Sequence, residues 1–586
     1  MKTITQLLTE NVSAAFVQCG YSESFGNVTI SDRTDLCQFQ CNGSISASRI
    51  YKKVPMEIAS KVISILMNNS IYENVEIAGA GFININLKDE YLLSYVHSIL
   101  CDKNLGIPQA DTNETILLDY GGPNIAKPLH IGHLRSAIIG EALKSLVRAT
   151  GRTAISDVHL GDWGLPIGLV IAELEERNPN WLCFSETFDV GSDKLPSLSL
   201  EMLNEIYPFA SQKSKENTDF KLKAKNITAQ LQKGNSGYLA VWREIVNVSI
   251  VDLKENYKKL NVDFDFWLGE SDSEKYVNAL INLLKDKSLL YRSDGAMVVD
   301  VSEDIDKTNI PPIIIKKSDG SNNYATTDLA TIIQRQNDFA PNQMWYVVDS
   351  RQGLHFTQVF RCAKKAELIP DTTILEHLDF GTMNKSDGKP YKTRDGGVMK
   401  LSDFYDIVFN ATCARTNLSE FYVNNDTADI VRKITVAAIK FGDLINHRSK
   451  DYIFDIEKFL ATEGKTGVFL LYTIARINSI LKKANASETI IFDSSVVYTA
   501  VERNLLLKIA LSNEAFVNAF NGRAPNFICE NAYQLSSAFS KFYHDNHILN
   551  EADNKKRKTW INLCIAVKTI LMKHLDVLGI EAVEHM

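Results

Sequence analysis

The run from Leu118 to Ser136, LDYGGPNIAKPLHIGHLRS, leaves little choice of local fold. Thr115 to Asp119 is a short apolar run with strand character, and a turn rich in Gly and Pro follows it. From Leu134 onward Ile138, Ile139, Ala142, Leu143, Leu146 and Val147 recur at helical spacing until Gly151 ends the pattern. The segment therefore predicts a strand, a loop and a helix N-terminus. Unpaired N–H groups and the positive end of the dipole make such a junction suited to phosphate. Gly132 has no side chain to hold a purine or ribose away from the backbone, while His130 and His133 can donate hydrogen bonds to phosphate oxygens as their charge grows. Taken alone, a His-x-x-His pair also fits a metal site or plain surface.

With 45% hydrophobic and 23% charged residues, the 586-residue chain has an ordinary globular composition and room for roughly three or four domains. No apolar run approaches the roughly 20 residues that span a bilayer, and the first ten residues lack the features of a signal peptide, so a cytoplasmic protein is expected. The nine cysteines are scattered, with Cys37 and Cys41 the only near pair; reduced thiols are expected, and no structural zinc. A net charge of −8 does not by itself suggest a nucleic-acid partner, so any nucleic-acid contact must come from local concentrations of Lys and Arg. Candidates are Arg448, Lys450, Lys465, Arg476, Lys482, Lys483 and the basic run from Lys555 to Lys558; for each the alternative is a solvated helix face.

Four regions are predicted. Residues 1–108 form an N-terminal α/β unit that opens with a helix and includes a strand after Gly79 and Gly81. Residues 109–170 and 296–405 carry the two halves of a parallel sheet, with strands at Met344 to Val348, Thr373 to Leu375 and Leu378 to Phe380 around a helix from His355 to Leu368. Residues 171–295 read as a mainly helical insertion, and 406–586 as an all-helical region. Ligands of such sheets bind at the carboxyl ends of the strands near the switch point, where His130, Asp328 and Gln352 can meet. One false lead is discarded: Gly464, Lys465 and Thr466 resemble the end of a phosphate loop, but its first glycine would fall on Phe459.

The segment PNIAKPLHIGHLRS (123–136), with HLGDWG at 159–164, resembles the nucleotide-binding region of the class I aminoacyl-tRNA synthetases, and more narrowly of the arginyl-tRNA synthetases. Further family patterns follow in order along almost the whole chain. The resemblance implies an α/β multidomain protein: a Rossmann-type parallel sheet, an N-terminal domain touching the outer corner of tRNA, and a helical anticodon-binding domain. It implies ATP with Mg²⁺, L-arginine and tRNA(Arg) as substrates, and a monomer. The family's mobile loop corresponds to GKPYKTRDG (388–396), which departs from the Lys-Met-Ser-Lys-Ser pattern by placing Thr393 at the usual lysine. Lys127 then supplies the missing charge near the phosphates, with Lys389, Lys392 and Arg394 as loop partners; the alternative is a solvent lysine.

Recognition of a planar cation with five donors calls for carboxylates and hydroxyl or carbonyl acceptors in a fixed fork. Tyr324 and Asp328 share a helical face at i, i+4 and match the family's guanidinium-binding pair; a capped surface helix is the alternative. Asp119 and Asn124 match positions that hold the substrate's amino group and backbone, Gln352 matches another amino-acid contact, and His355 is expected against the adenosine. A site that reads N–H groups with buried acceptors rejects analogues lacking them by a factor on the order of 10⁴, so no editing domain is needed and the insertion reads as acceptor-stem support. Two rival readings are a synthetase for another amino acid and a non-catalytic relative that binds tRNA as a regulator.

Overall fold

The strand expected at Thr115–Asp119 (β1) forms the centre of a four-stranded parallel sheet. The computed structural model describes residues 1–586 apart from 34, 186, 386, 390–398, 416–424, 487–491 and 493–497, and apart from the side chains of 425 and 426. β1 is followed by a helix, Gly132–Ala149 (α1), and by Thr153–Asp157 (β2). The second half contributes Tyr324–Phe339 (α2), Gln343–Tyr346 (β3), Gly353–Lys365 (α3) and Ile374–His377 (β4). The strand order is β4, β3, β1, β2, so the switch point lies between β1 and β3. α1 starts at Gly132, two residues before the apolar repeat, because the first turn of a helix needs no buried face of its own. It packs closely on the exit of β1, where a Cβ at Gly140 would lie 2.1 Å from the Tyr120 ring. Ser136 Oγ accepts from the Gly121 N–H (2.8 Å) and donates to the Val347 carbonyl (2.7 Å), clasping the exits of β1 and β3.

Two expectations need adjustment. Leu378 to Phe380 is not a strand of the sheet; only a single bridge joins Phe380 to Asp349. The helix expected to reach Leu368 ends at Lys365, where Glu367 turns into the left-handed region (φ 54°). The region after the first half is helical as expected, over Leu165–Arg177, Leu200–Glu216, Thr218–Gln232, Ser236–Lys259 and Glu270–Asp286. It then closes with an antiparallel sheet of Leu290–Ser293, Ala296–Val299 and Ile313–Lys316, which the helical reading missed. The signal was present: Asp294 (φ 48°) and Gly295 (φ 78°) make the two-residue hairpin turn that Asp-Gly favours.

The chain divides into two compact units. One comprises residues 112–148 and 152–457, including the helices Leu401–Arg415 and Asn425–Leu444. The other joins 1–111, with 149–151, to 458–586. Its N-terminal part is a four-stranded antiparallel sheet with helices such as Ile4–Gln18 and Asp89–Cys101. Within this unit Arg503 pairs with Asp89 (2.6 Å), Asn513 Nδ2 donates to Tyr95 Oη (2.9 Å) and Glu514 accepts from the Thr5 N–H (2.9 Å). Cys37 and Cys41 are buried and donate separately, to Ser31 Oγ and to the Phe25 carbonyl. Among the described residues no helix is long and apolar enough to cross a membrane.

Within the sheet unit one buried charge holds three segments together. Arg135 on α1 pairs with Asp443 (3.0 Å) and donates from Nη1 to the carbonyls of Gly381 (2.7 Å) and Lys450 (3.0 Å). Tyr452 Oη donates to the same Asp443 oxygen (2.9 Å). Removing one partner of such a pair leaves an uncompensated charge. Asp443→Ala is therefore expected to destabilise the protein by about 3–5 kcal/mol in urea unfolding, and a loss below about 1 kcal/mol would contradict this account of the network.

Candidate active site

The turn between β1 and α1 is held on both sides. Gly121 (φ 90°) bends the chain out of the strand, and Pro123 to Ile125 pair with Gly161 through Gly161 N–H to the Pro123 carbonyl (3.0 Å) and Ile125 N–H to the Gly161 carbonyl (3.2 Å). On the other side Ile131 N–H donates to the Met399 carbonyl (3.0 Å) and Leu401 N–H to the Leu129 carbonyl (2.9 Å). The residues that follow the 388–396 loop are thus paired with the histidine motif itself.

The two imidazoles stack, with centroids 3.9 Å apart. His133 Nδ1 accepts from the His130 N–H (3.1 Å), and His130 Nδ1 accepts from the Gly132 N–H (3.1 Å). Acceptance at Nδ1 assigns the proton of each neutral ring to Nε2. Burial and the neighbouring His130 push His133 down to about 3, and burial with Lys127 lowers His130 as well. The pair therefore offers neutral N–H donors. A Cβ at Gly132 would lie 2.9 Å from the His130 ring, so the missing side chain makes room for the imidazole. Lys127 is half-buried, its ammonium 4.5 Å from the centre of the Tyr207 ring.

The same unit carries a group of acids. Tyr324 opens α2, and Asp328 follows one turn later. His355 was expected against the adenosine; here its Nε2 is 2.6 Å from Asp328 and its ring 4.7 Å from that of Tyr324. Glu270, which sequence reasoning missed, belongs to the same group. Burial raises its pKa to about 7, with Asp328 and Asp162 adding to the rise and His159 opposing it. HLGDWG builds this arrangement: the Asp162 carboxylate accepts from Ser271 N–H (3.0 Å) and Ser271 Oγ (2.6 Å), fixing the start of the helix that begins at Glu270. A Cβ at Gly269 would meet Asp162 at 2.4 Å, so glycine is required there. No spacing in the sequence announces Glu270, because its partners lie far away in the chain.

Asp119 is expected, with Asn124, to hold the amino group and backbone of the substrate. In the structure one of its oxygens is held by Arg335 (2.7 Å), which also binds Asp157 (2.9 Å). Asn124 is exposed on the turn, and Gln352 is exposed immediately before α3. Lys389 is exposed next to a turn at Asp387, whereas Lys392 and Arg394 lie outside the described residues.

Of the expected tRNA contacts, Arg448 is committed to Asp379 (2.9 Å), while Lys450 is exposed. In the other unit Arg476 lies between the rings of Tyr472 (4.6 Å) and Tyr543 (4.7 Å), beside a groove of about 780 Å³ that Lys483, His547 and Asn550 also line. Lys482 and Lys483 are exposed at the end of the helix Gly467–Ala484. Lys483 also borders a second groove of about 510 Å³ with Arg557 and Lys558.

Three family models match this chain: "tRNA synthetases class I (R), catalytic domain" over residues 95–456, "DALR anticodon binding domain" over 470–586, and "Arginyl tRNA synthetase N terminal domain" over 2–87. The arginine–tRNA ligase of Alkaliphilus oremlandii is 47% identical over 586 residues, covering 99% of this chain and 100% of that protein. That of Agathobacter rectalis is 44% identical, with 100% of both chains covered. In fold, the chain is similar to the arginyl-tRNA synthetase structures of Plasmodium falciparum (TM-score 0.83, 24% identity) and Thermus thermophilus (TM-score 0.80, 19% identity), each over 100% of both chains.

The raised pKa of Glu270 gives the site a pH signature. A cation bound beside Glu270 favours the ionised acid, so its binding below pH 7 should release a proton, and affinity should rise as pH passes through 7. Calorimetry in buffers of different ionisation heat measures that release. It should vanish in Glu270→Gln; an unchanged release in that variant would remove Glu270 from the site.

Proposed function

The chain belongs to the arginyl-tRNA synthetases of class I, and from that membership we propose that it joins L-arginine to tRNA(Arg) in two steps at the end of the β1 and β3 strands. In the first, an arginine carboxylate oxygen attacks the α-phosphorus of ATP, and pyrophosphate leaves. In the second, a hydroxyl of the terminal ribose of tRNA attacks the arginyl carbonyl, and AMP leaves. ATP enters as its Mg²⁺ complex. No covalent enzyme intermediate is needed, so the protein contributes position and directed donors.

The observation that carries this reading is the pairing of opposite chemistries in one unit. His130 and His133 present neutral Nε2–H donors at a helix N-terminus. Tyr324, Asp328 and Glu270 present acceptors suited to a planar cation. The α-phosphate takes the histidine donors, with Gly132 at the helix start. Lys127 carries positive charge toward the β- and γ-phosphates, together with Lys389, Lys392 and Arg394 of the loop. The guanidinium lies against Tyr324, Asp328 and Glu270; the free oxygen of Asp119, Asn124 and Gln352 hold the amino-acid end. His355 orients Asp328 through their 2.6 Å contact, and the adenosine is proposed beside it as the family resemblance implies.

tRNA engages the helical region through the grooves beside Arg476, Lys482, Lys483, Arg557 and Lys558. Lys450 adds a contact on the catalytic unit, and Arg448 acts through Asp379 rather than directly. The division into 1–108, the split catalytic region 109–170 and 296–405, the insertion 171–295 and the helical region 406–586 is proposed as a division of labour. The protein is proposed to act as a monomer in the cytoplasm.

Exchange of labelled pyrophosphate into ATP, with each amino acid and with tRNA present, tests the reading. Exchange with arginine alone is expected. Tyr324→Phe combined with Asp328→Ala should lower kcat/KM for arginine by about 10²- to 10³-fold. Lys127→Met should lower kcat by about 10²-fold with KM for arginine unchanged. Exchange with another amino acid would overturn the specificity, and no exchange at all would favour a tRNA-binding regulator.

A further inference from the structure

On α2, Tyr324, Asp328 and Arg335 stand at i, i+4 and i+11, within about 40° of one another around the helix axis. The first two read the guanidinium in the function proposed above, and the inference below rests on that reading. Arg335 is wholly buried. Its Nη2 sits between Asp119 Oδ2 (2.7 Å) and Asp157 Oδ2 (2.9 Å), residues that face each other across the β1–β2 pair. Its guanidinium lies 5.4 Å from the centre of the Tyr346 ring, and Tyr346 faces Asp119 across the β1–β3 pair. One side chain thus joins the carboxyl ends of three neighbouring strands to the helix that carries the guanidinium readers.

Apolar packing alone would attach a helix to a sheet as firmly, since buried ion pairs are often matched in stability by hydrophobic residues of similar volume. What the charged contact adds is a fixed position: the ion pair to Asp119 and the hydrogen bond to Asp157 both hold Nη2 at a defined distance, whereas apolar surfaces tolerate sliding. Asp119 and Asp328 mark the two ends of the amino-acid site, and Arg335 connects the first directly to the helix that bears the second. We infer that Arg335 is a positioning residue that sets the length of side chain the site accepts, by fixing the span between the amino-group contact and the guanidinium contact.

The test compares arginine with its homologues one methylene longer and one methylene shorter, as kcat/KM in pyrophosphate exchange with tRNA present. Arg335→Lys keeps the charge but replaces the planar fork by a single ammonium on a different reach. The preference for arginine over at least one homologue should fall by about 10-fold, the scale at which one methylene is discriminated. A merely structural role would lower all three values together and leave their ratios unchanged, which would overturn the inference. Asp157→Asn provides a second variant in case Arg335→Lys does not fold, since the amide carbonyl still accepts the Leu268 N–H that Asp157 Oδ1 now holds at 3.1 Å. It should shift the same ratio in the same direction; unchanged ratios in both variants, or in the one that folds, would sink the proposal. If the unmodified protein shows no use of arginine, the functional reading itself has failed, which is a separate result from unmoved ratios in a protein that does use it.

Discussion

Everything at the site depends on the parallel pairing of β1 with a neighbour on each side. Because Thr115–Asp119 pairs with β2 and with β3 in the same direction, Asp119, Asp157 and Tyr346 arrive in register at one edge of the sheet. Parallel strands must be joined by crossovers, so the chain leaves that edge from β1 and from β3 and returns through helices. The histidine motif occupies the first departure and Gln352 with His355 the second. Ser136 ties the two together by bonding to backbone at both exits, which fixes the start of α1 relative to β3.

The electrostatics divide along the same lines. At the start of α1 the histidines are kept neutral by burial, with Lys127 acting on His130 and His130 on His133, so they act as oriented N–H donors that bring no charge to be desolvated. Around Asp328 of α2, burial first and the nearby Asp328 and Asp162 charges second make Glu270 hold its proton to about pH 7. Such a pocket favours a cation that completes it, because the ligand's charge relieves the repulsion among the carboxylates. In the proposed function the acids take the guanidinium of arginine, and the histidine donors take the α-phosphate that its carboxylate attacks.

Local features of the fold were legible in the sequence, whereas long-range partnerships were not. The strand, turn and helix around His130 follow from the apolar spacing and from Gly121, and Tyr324 with Asp328 follows from a four-residue interval on one helix. The charges that hold these elements in place have partners far off: Arg335 with Asp119 and Asp157, and Arg135 with Asp443. Nothing in the neighbourhood of Arg335 distinguishes it from a solvated helix residue. Arg448 shows the converse, a basic residue that looks available in sequence and is occupied by Asp379 in space. The Asp294–Gly295 hairpin was missed despite a local signal, in a stretch dominated by helical periodicity.

Recognition of the guanidinium by the half-buried carboxylates of Asp328 and Glu270, with the exposed Tyr324 beside them, is the centre of this account. Its most direct measurement is the affinity of the protein for L-arginine against L-citrulline, which has nearly the same shape but carries a neutral urea in place of the cation. Unpaired carboxylates facing citrulline should weaken its binding by a factor on the order of 10⁴ relative to arginine. Comparable affinities for the two would contradict the assignment of Tyr324, Asp328 and Glu270, whatever the protein's activity on tRNA.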